Sequence, residues 1–284
     1  MTRVLLAVFK RLGFALSAPV ILAEYFDSET GKEYGIGFWK KLRLAIRMKR
    51  NHGRITTGSY VMEHLIMATE IMKVPKALEG CVVECGTFKG GSATNLSLVC
   101  ELCNRSIEIF DSFQGLPEPS EEDREHVLVG AGQIHTYNAG AWKGTLDEVK
   151  KNITNHGKIG LCRFNVGYFS ETMPNFQKKV VFAFLDVDLR GSLEPCIKTL
   201  WPLLQDGSYI FTHEAPHTEI SSFFFSEDWW TLNVGCKPPG LTGAGNGLGL
   251  LPAPGGYRSD LGYTVKNPQA ATFHINPQTG VIGS

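Results

Sequence analysis

The sequence lacks an excess of charge of either sign. Among its 284 residues, 28 Lys and Arg are balanced by 28 Asp and Glu, so the formal net charge is zero. A protein whose main partner is nucleic acid needs basic residues to neutralise phosphates, and we therefore expect no nucleic-acid partner. The hydrophobic fraction of 43% allows a sizeable core and excludes a wholly disordered chain.

Long hydrophobic runs are also missing. Two apolar segments, residues 4–9 and 13–23, are separated by Lys10 and Arg11, and neither reaches the roughly 18–20 residues of a transmembrane helix. Six cations follow at Lys40, Lys41, Arg43, Arg47, Lys49 and Arg50. Residues 1–55 are predicted to form an N-terminal helical arm. Three interpretations stay open: a packed arm or lid, a helix peripheral to a membrane, or a processed segment.

The seven cysteines do not form a disulfide pattern. Their number is odd and several lie inside apolar runs, where Cys behaves as a small hydrophobe. Cys100 and Cys103 form a C-x-x-C pair, but no second pair follows to complete a zinc site. This usage indicates a reducing compartment, so we expect a cytoplasmic protein.

From residue 56 onwards, strand and helix patterns alternate. Strands are predicted over residues 81–85, 106–110, 159–165, 180–185 and 208–212, and helices over residues 59–72, 90–102, 146–153, 170–177 and 193–204. Residues 111–140 are predicted to form a long polar loop. The pattern predicts an α/β domain over residues 56–284 with a doubly wound, mostly parallel sheet. Residues 215–256 include the Gly/Pro-rich C-terminal region and read as an irregular segment, followed by a strand near residues 263–265.

The first strand passes directly into a glycine turn and then a helix. Gly86, Gly90 and Gly91 let the backbone approach a ligand closely beyond the strand. Their spacing misses the G-x-G-x-x-G fingerprint, and no Walker lysine follows. Asp111 closes the second predicted strand, where such sheets place an acid that accepts hydrogen bonds from ribose hydroxyls. Together the glycine turn and Asp111 predict a nucleoside ligand.

Acidic residues end two later strands. Asp186 and Asp188 follow the strongest predicted strand, and strand periodicity points both carboxylates to one side. His213 and Glu214 end the next strand. Because neighbouring parallel strands end at the same edge of a sheet, Asp186, His213 and Glu214 are expected to lie together as ligands for a divalent cation. The alternative is a set of helix caps and surface acids.

Four segments, at residues 83–92, 110–117, 167–174 and 185–192, carry a family resemblance; Asp111-Ser112-Phe113-Gln114-Gly115-Leu116-Pro117 is the most specific. Over residues 56–214 the chain resembles the macrocin O-methyltransferase family. The resemblance implies a Rossmann-like class I fold, S-adenosylmethionine as cofactor and a hydroxyl of a sugar or natural product as acceptor. It implies cofactor contacts at Glu84, Gly86, Thr87, Lys89, Gly90, Ser92, Asp111, Ser112, Gly167, Tyr168 and Asp186.

The family binds magnesium through an Asp-x-Asp and an Asp-Asp element, and here His213-Glu214 replaces the second. The resemblance implies metal ligands at Asp186, His213 and Glu214, with Asp188 as the base and His213 as the alternative base. Imidazole is a softer metal ligand than carboxylate. The bound ion could therefore be manganese, zinc or iron as well as magnesium, and an empty site is a further alternative. A homo-oligomer is also open. Two rival functions remain: a non-catalytic S-adenosylmethionine-binding module, and a nicotinamide oxidoreductase, which the glycine spacing disfavours.

Overall fold

The computed structural model of the chain describes residues 21–121, 123, 127–129, 133–245, 247–248, 259–267, 274–275 and 282–283. Most of the two N-terminal apolar runs lies outside these residues, as do residues 249–258 of the predicted irregular segment. No helix among the described residues has the length and apolar character needed to cross a membrane.

A six-stranded sheet forms the centre of the molecule. Its strands are β1 (Cys81–Cys85), β2 (Ile107–Asp111), β5 (Cys162–Val166), β6 (Val180–Leu185), β7 (Leu204–Thr212) and β8 (Gly262–Val265). They lie in the order β5-β2-β1-β6-β7-β8, and only β8 runs antiparallel to its neighbour. Two hairpins pair β3 (Val127–Val129) with β4 (Gln133–His135) and β9 (His274–Ile275) with β10 (Ile282–Gly283).

Helices connect the strands and cover the sheet. They are α1 (Phe38–His52), α2 (Val61–Lys73), α3 (Gly91–Leu102), α4 (Leu146–His156), α5 (Phe169–Thr172), α6 (Arg190–Leu203), α7 (Thr218–Phe223) and α8 (Glu227–Asn233). Short 3-10 helices occupy Lys32–Tyr34, Ile159–Leu161 and Met173–Asn175.

Both faces of the sheet are buried. Successive side chains of a strand point to opposite faces, and in β1 the neighbours Val82 and Val83 belong to two different hydrophobic clusters. The Val82 cluster includes side chains of α1, α2, α3 and α4, whereas the Val83 cluster includes those of α6, α7 and α8. This arrangement confirms the doubly wound, mostly parallel α/β fold.

Several predicted elements need correction. The loop predicted over residues 111–140 contains the β3–β4 hairpin, whose first strand is the apolar run Val127–Val129. The irregular segment predicted over residues 215–256 begins with two helices, α7 and α8. They form because Trp230 is fully buried, packs 5.0 Å from Trp201 between ring centroids, and donates its indole N–H to the Phe223 carbonyl.

The cysteines lie where their apolar surroundings indicate. All seven are free, and all except the half-buried Cys236 are buried. Burial raises the pKa of Cys103 to about 12. Cys100 and Cys103 therefore act as packing residues in this structure.

Candidate active site

A cavity of about 580 Å³ opens at the carboxyl ends of β1, β2, β6 and β7. The order of the sheet explains its position. From β1 the chain moves to β2 on one side, and later returns to β6 on the other side of β1. Ligands of open α/β sheets bind at such a topological switch point.

Gly86 stands at this switch point and no other residue type fits there. Its φ is +81°, and a Cβ on it would lie 1.9 Å from the backbone oxygen of Asp186. The close approach arises because Asp186 N–H donates to the Cys85 carbonyl just beyond β1 and β6. Gly86 therefore allows the ends of β1 and β6 to lie close together, and it also leaves room for a ligand to approach the backbone.

Asp111 ties two turns of the cavity together. One carboxylate oxygen accepts the Thr87 N–H at 2.7 Å and the other accepts the Phe113 N–H at 2.6 Å. Burial nevertheless raises the pKa of Asp111 above its ordinary value. A carboxylate offers about four lone-pair sites, so each oxygen keeps acceptor capacity toward the cavity that it lines.

Glu84 is fully buried at the end of β1. Its Oε2 accepts from the Thr87 hydroxyl at 3.3 Å, whereas its Oε1 has no hydrogen-bond partner among the described residues. Burial raises the pKa of Glu84 to about 8, a hydrogen bond from the Ser92 side chain opposes the rise, and the charge of Asp186 adds to it. A buried acid with an unsatisfied oxygen needs a donor from elsewhere.

Five of the residues predicted to contact a cofactor line the cavity: Gly86, Asp111, Ser112, Tyr168 and Asp186. The structure does not place Glu84, Thr87, Lys89, Gly90, Ser92 or Gly167 in its wall. Lys89 lies beside Glu148 of α4, with 3.5 Å between Nζ and Oε1.

The residues outside the wall support it through the backbone. Gly90 takes a left-handed conformation, φ +82°, where α3 begins, and Ser92 is buried in the first turn of α3. Gly167 N–H donates to the Asp111 carbonyl at 3.1 Å. In the wall itself, the Ser112 hydroxyl accepts the Gln114 N–H and donates to the Gly115 carbonyl.

Asp186, His213 and Glu214 come together as their spacing predicts. One potential ligand atom of each lies within 4.8 Å of the others. His213 Nδ1 is 3.6 Å from Asp186 Oδ1. Glu214 is held in place by the Thr212 hydroxyl at 2.8 Å and by Asp188 N–H at 3.2 Å.

Asp188 lines the same cavity, but for a different reason from the one predicted. Strand β6 ends at Leu185, so strand periodicity does not determine the direction of the Asp188 side chain. The φ of Asp188, +60°, shows that the backbone takes a left-handed turn there. Burial and the charge of Glu214 raise the pKa of Asp188 to about 7. The Tyr137 hydroxyl hydrogen-bonds Asp188 and lies 3.5 Å from His217 Nδ1.

Glu63 of α2 is a site residue that the sequence analysis missed. Its side chain is fully buried and its Oε2 lies 3.3 Å from His213 Nε2. Its oxygens also accept the Tyr60 N–H, the Ser259 hydroxyl and the Asp260 N–H. The available signal was an acid, Glu63, within the apolar helical pattern of residues 61–72.

The charges of this corner depend on one another. Burial opposes ionisation of both His213 and Glu63, but their mutual attraction prevails: it lowers the pKa of Glu63 and, with Asp186, raises that of His213 well above its ordinary value. Burial and Asp186 raise the pKa of Glu214. The corner therefore concentrates carboxylates around a single imidazolium.

The described wall of the cavity is rich in acids and aromatic rings. Seven carboxylates line it, from Asp111, Glu118, Asp123, Asp186, Asp188, Glu214 and Asp260. Rings of Phe88, Tyr137, Trp142, Tyr168 and Phe169 also line it. Among the described residues of the wall there is no Lys or Arg.

Comparison with known proteins gives consistent matches. Residues 37–221 match the family model described as macrocin O-methyltransferase, TylF. Mycinamicin III 3''-O-methyltransferase of Micromonospora griseorubida is 28% identical over 46% of this chain and 53% of its own length. Demethyldecarbamoylnovobiocin O-methyltransferase of Streptomyces niveus is 24% identical over 48% of this chain and 52% of its own length. The chain thus spans about half the length of these curated relatives.

A solved structure shares the fold. The O-methyltransferase NovP aligns with a TM-score of 0.52 and 17% identity, over 92% of this chain and 99% of NovP. At that identity the likeness speaks for the Rossmann-like architecture alone. The family model covers well over half of the sequence, including the glycine turn, Asp111, and the Asp186 and His213 corner. The chain belongs to the macrocin O-methyltransferase family.

Proposed function

We propose that the protein transfers a methyl group from S-adenosylmethionine to a hydroxyl of a small molecule. The observation that carries this proposal is one cavity with two chemically different ends. The turn around Gly86 and Asp111 forms the cofactor end, and Asp186, Asp188, His213 and Glu214 form the reactive end. Family membership supports the same reaction.

Residues of the first two strands would hold the cofactor. The Asp111 carboxylate would accept hydrogen bonds from the ribose hydroxyls, since each of its oxygens keeps acceptor capacity. Glu84 lies behind the described wall of the cavity, so a contact between its buried Oε1 and the ammonium of the methionine moiety would require the glycine turn to move. When bound, S-adenosylmethionine supplies an electrophilic methyl group on a sulfonium sulfur.

The corner of Asp186, His213 and Glu214 fits a divalent cation. Its donor set is one imidazole and two carboxylates. Burial and neighbouring carboxylates raise the pKa values of Asp186, Asp188 and Glu214, so a cation there would favour their ionised forms. Glu63 on the far nitrogen of His213 repeats the carboxylate–histidine arrangement that orients metal-bound imidazoles. When bound, the cation lowers the pKa of the acceptor hydroxyl and orients its oxygen. The resemblance favours magnesium, and the imidazole extends the choice to manganese, zinc or iron.

Asp188 is the proposed base. Its pKa of about 7 lies near neutral pH, where a carboxylate is most effective in taking a proton. The Tyr137 hydroxyl and Glu214 hold Asp188 in the wall of the cavity. His213 is the alternative base, although Asp186 and Glu63 raise its pKa well above the ordinary value, so it could take the proton only in its neutral form.

The acceptor is proposed to be a neutral or cationic sugar or natural product. The described wall of the cavity has seven carboxylates and no Lys or Arg. It would therefore repel phosphorylated and other anionic acceptors. Aromatic rings suit the apolar faces of sugars and macrocycles. The two curated relatives carry the names of a mycinamicin and a novobiocin derivative as their acceptors. The catalytic domain is proposed to span residues 56–284, with residues 1–55 as an arm attached through α1.

Methyl transfer from tritiated S-adenosylmethionine to a panel of neutral glycosides tests the proposal. We expect transfer that a chelator abolishes and a divalent cation restores. His213→Ala should lose most transfer yet bind S-adenosylmethionine, because the cofactor end lies on other strands. Full activity of metal-free protein would remove the cation from the proposal, and tight cofactor binding without transfer to any acceptor would favour a non-catalytic module.

A further inference from the structure

Helix α1 presents an outward face that no described part of the chain covers. Its inward side packs into the core through Leu44 and Met48. The opposite side exposes Trp39, Arg43, Ile46, Arg47 and Arg50, a spacing that places them on one side of the helix. We propose that this outward face of α1 docks on an anionic phospholipid surface.

The charge of the outward face is positive throughout. The helix carries six of the chain's 28 Lys and Arg and no Asp or Glu, although the net charge of the whole chain is zero. Lys41 is buried and donates to the Asp27 carbonyl. The other five, Lys40, Arg43, Arg47, Lys49 and Arg50, are exposed, and none forms an ion pair with a described residue. Lys40 donates to the Gly35 carbonyl. Five cations without an ion-pair partner in the described part of the chain complement anionic headgroups.

Large apolar side chains lie among these cations. Trp39 is 70% exposed, Phe38 52% and Ile46 43%. Phe38 packs against Trp39, with 5.3 Å between ring centroids, and against Phe26, with 5.0 Å, so Trp39 and Ile46 are the freer apolar side chains. Basic helices that lie in a membrane interface combine cations in this way with Trp, Phe and aliphatic side chains that enter the acyl boundary.

The apolar component favours lipid over nucleic acid as the occupant. Phosphates of a nucleic acid would pair with the cations, but Ile46 would gain nothing from contact with them. At a bilayer surface the same side chain leaves water while the neighbouring cations extend to the headgroups. The helix is also fixed on the domain, because the buried Asn51 amide donates to Asn95 of α3 at 2.9 Å. The face is therefore a preformed surface.

Cosedimentation of the full chain with vesicles tests this proposal. We expect binding to phosphatidylcholine vesicles that contain phosphatidylserine, loss of binding at high salt, and no binding to pure phosphatidylcholine. Arg43→Glu/Arg47→Glu should weaken binding at least roughly thirtyfold, since each cation near an anionic surface contributes about fivefold. Trp39→Ser/Ile46→Ser should weaken binding at low salt as well.

Matched variants separate this face from the rest of the molecule. Lys143→Glu/Lys151→Glu removes two exposed cations elsewhere, and Leu232→Ser removes an apolar side chain that is 85% exposed on α8; both should bind like the unaltered protein. Thermal unfolding shows that each variant is folded. Absence of binding to anionic vesicles, or equal binding by Arg43→Glu/Arg47→Glu, would overturn the proposal. Tight binding of a short RNA that is insensitive to Trp39→Ser/Ile46→Ser would assign the face to nucleic acid instead.

Discussion

Glu63 and His213 meet at the reactive end of the cavity although 150 positions separate them in the chain. Glu63 holds Nε2 of the imidazole, which leaves Nδ1 toward Asp186. If Glu63 orients His213 as a metal ligand or as a base, the loss of Glu63 should slow the chemical step more than it weakens cofactor binding. We therefore propose that Glu63 is a positioning residue.

We predict that Glu63→Gln lowers kcat roughly 10–100-fold, the usual effect of losing an outer-shell partner, while KM for S-adenosylmethionine stays close to its original value. Glu70→Gln is the matched control, since Glu70 lies on the same helix and pairs with Lys73 outside the site. Steady-state kinetics of both variants check this. An unaltered kcat in Glu63→Gln would mean that Glu63 only supports the fold.

At the residue scale the sequence predicts those positions whose role is local. Gly86 follows a strand directly, and Asp111 ends the next strand, so strand ends and turn residues were sufficient to single them out. Glu63 could not be found in this way, because its partners His213 and Ser259 come from distant parts of the chain. The burial of a carboxylate depends on tertiary packing, which hydrophobic periodicity does not report.

Among the elements, the turn between β1 and α3 combines a left-handed glycine with a close approach of two strand ends. We predict that Gly86→Ala lowers the free energy of unfolding by roughly 2–4 kcal/mol, from its φ and from the clash with Asp186. Gly207→Ala is the control, because Gly207 has a φ of +75° but open space around it. There we expect a smaller loss of roughly 1–2 kcal/mol, from the left-handed φ alone.

Denaturant unfolding of the two glycine variants measures this difference. Gly86→Ala should also lose S-adenosylmethionine binding, because the shifted backbone forms the cofactor end. Equal losses of stability in the two variants would show that the strand ends separate easily and that only the φ matters.

The elements that the sequence predicts well are those buried on both sides. Strands β1 and β6 match their predicted bounds because continuous apolar runs mark them. The α7–α8 pair was missed, since its stability comes from Trp230 packing against Trp201 and the Phe223 backbone. Likewise β7 begins at Leu204, four residues before the predicted start, because Leu204 pairs with Val180 of β6; the register then shifts, and pairing resumes at Tyr209 with Phe182.

For the whole molecule, the buried Glu84 links stability to pH. Its folded pKa of about 8 lies above its ordinary value of 4.5, so the folded state binds the proton more tightly than the unfolded state. Stability from this group is fully present below pH 4.5 and is lost as pH rises toward 8. We predict that the melting temperature of cofactor-free protein falls over this range, and that Glu84→Gln makes the fall smaller.

Thermal unfolding across this pH range checks the prediction, with Glu79→Gln as the control because Glu79 is exposed. Saturation with S-adenosylmethionine should also reduce the fall, if its ammonium group supplies the missing donor to Glu84. A pH profile that Glu84→Gln leaves unaltered would contradict the assignment.

The neutral net charge of the chain conceals a separation of charge in space. Carboxylates gather in the cavity and cations on the outward face of α1. Composition excluded a strongly basic protein but did not predict this separation, because it depends on which faces of the helices and strands are buried. The acidic cavity in turn suits a cationic sulfonium cofactor.

Calorimetric titration of the full chain with S-adenosylmethionine is the most direct measurement of the proposed function, with NAD as the comparison. We predict one S-adenosylmethionine site per chain and no NAD binding. Asp111→Ala should weaken binding by roughly 1.5–3 kcal/mol, the cost of hydrogen bonds to a charged group, whereas Asp123→Ala should not, because the Asp123 carboxylate accepts the Arg190 N–H where α6 begins. Binding of NAD in preference to S-adenosylmethionine, or equal affinity in Asp111→Ala, would contradict the assignment of the cavity.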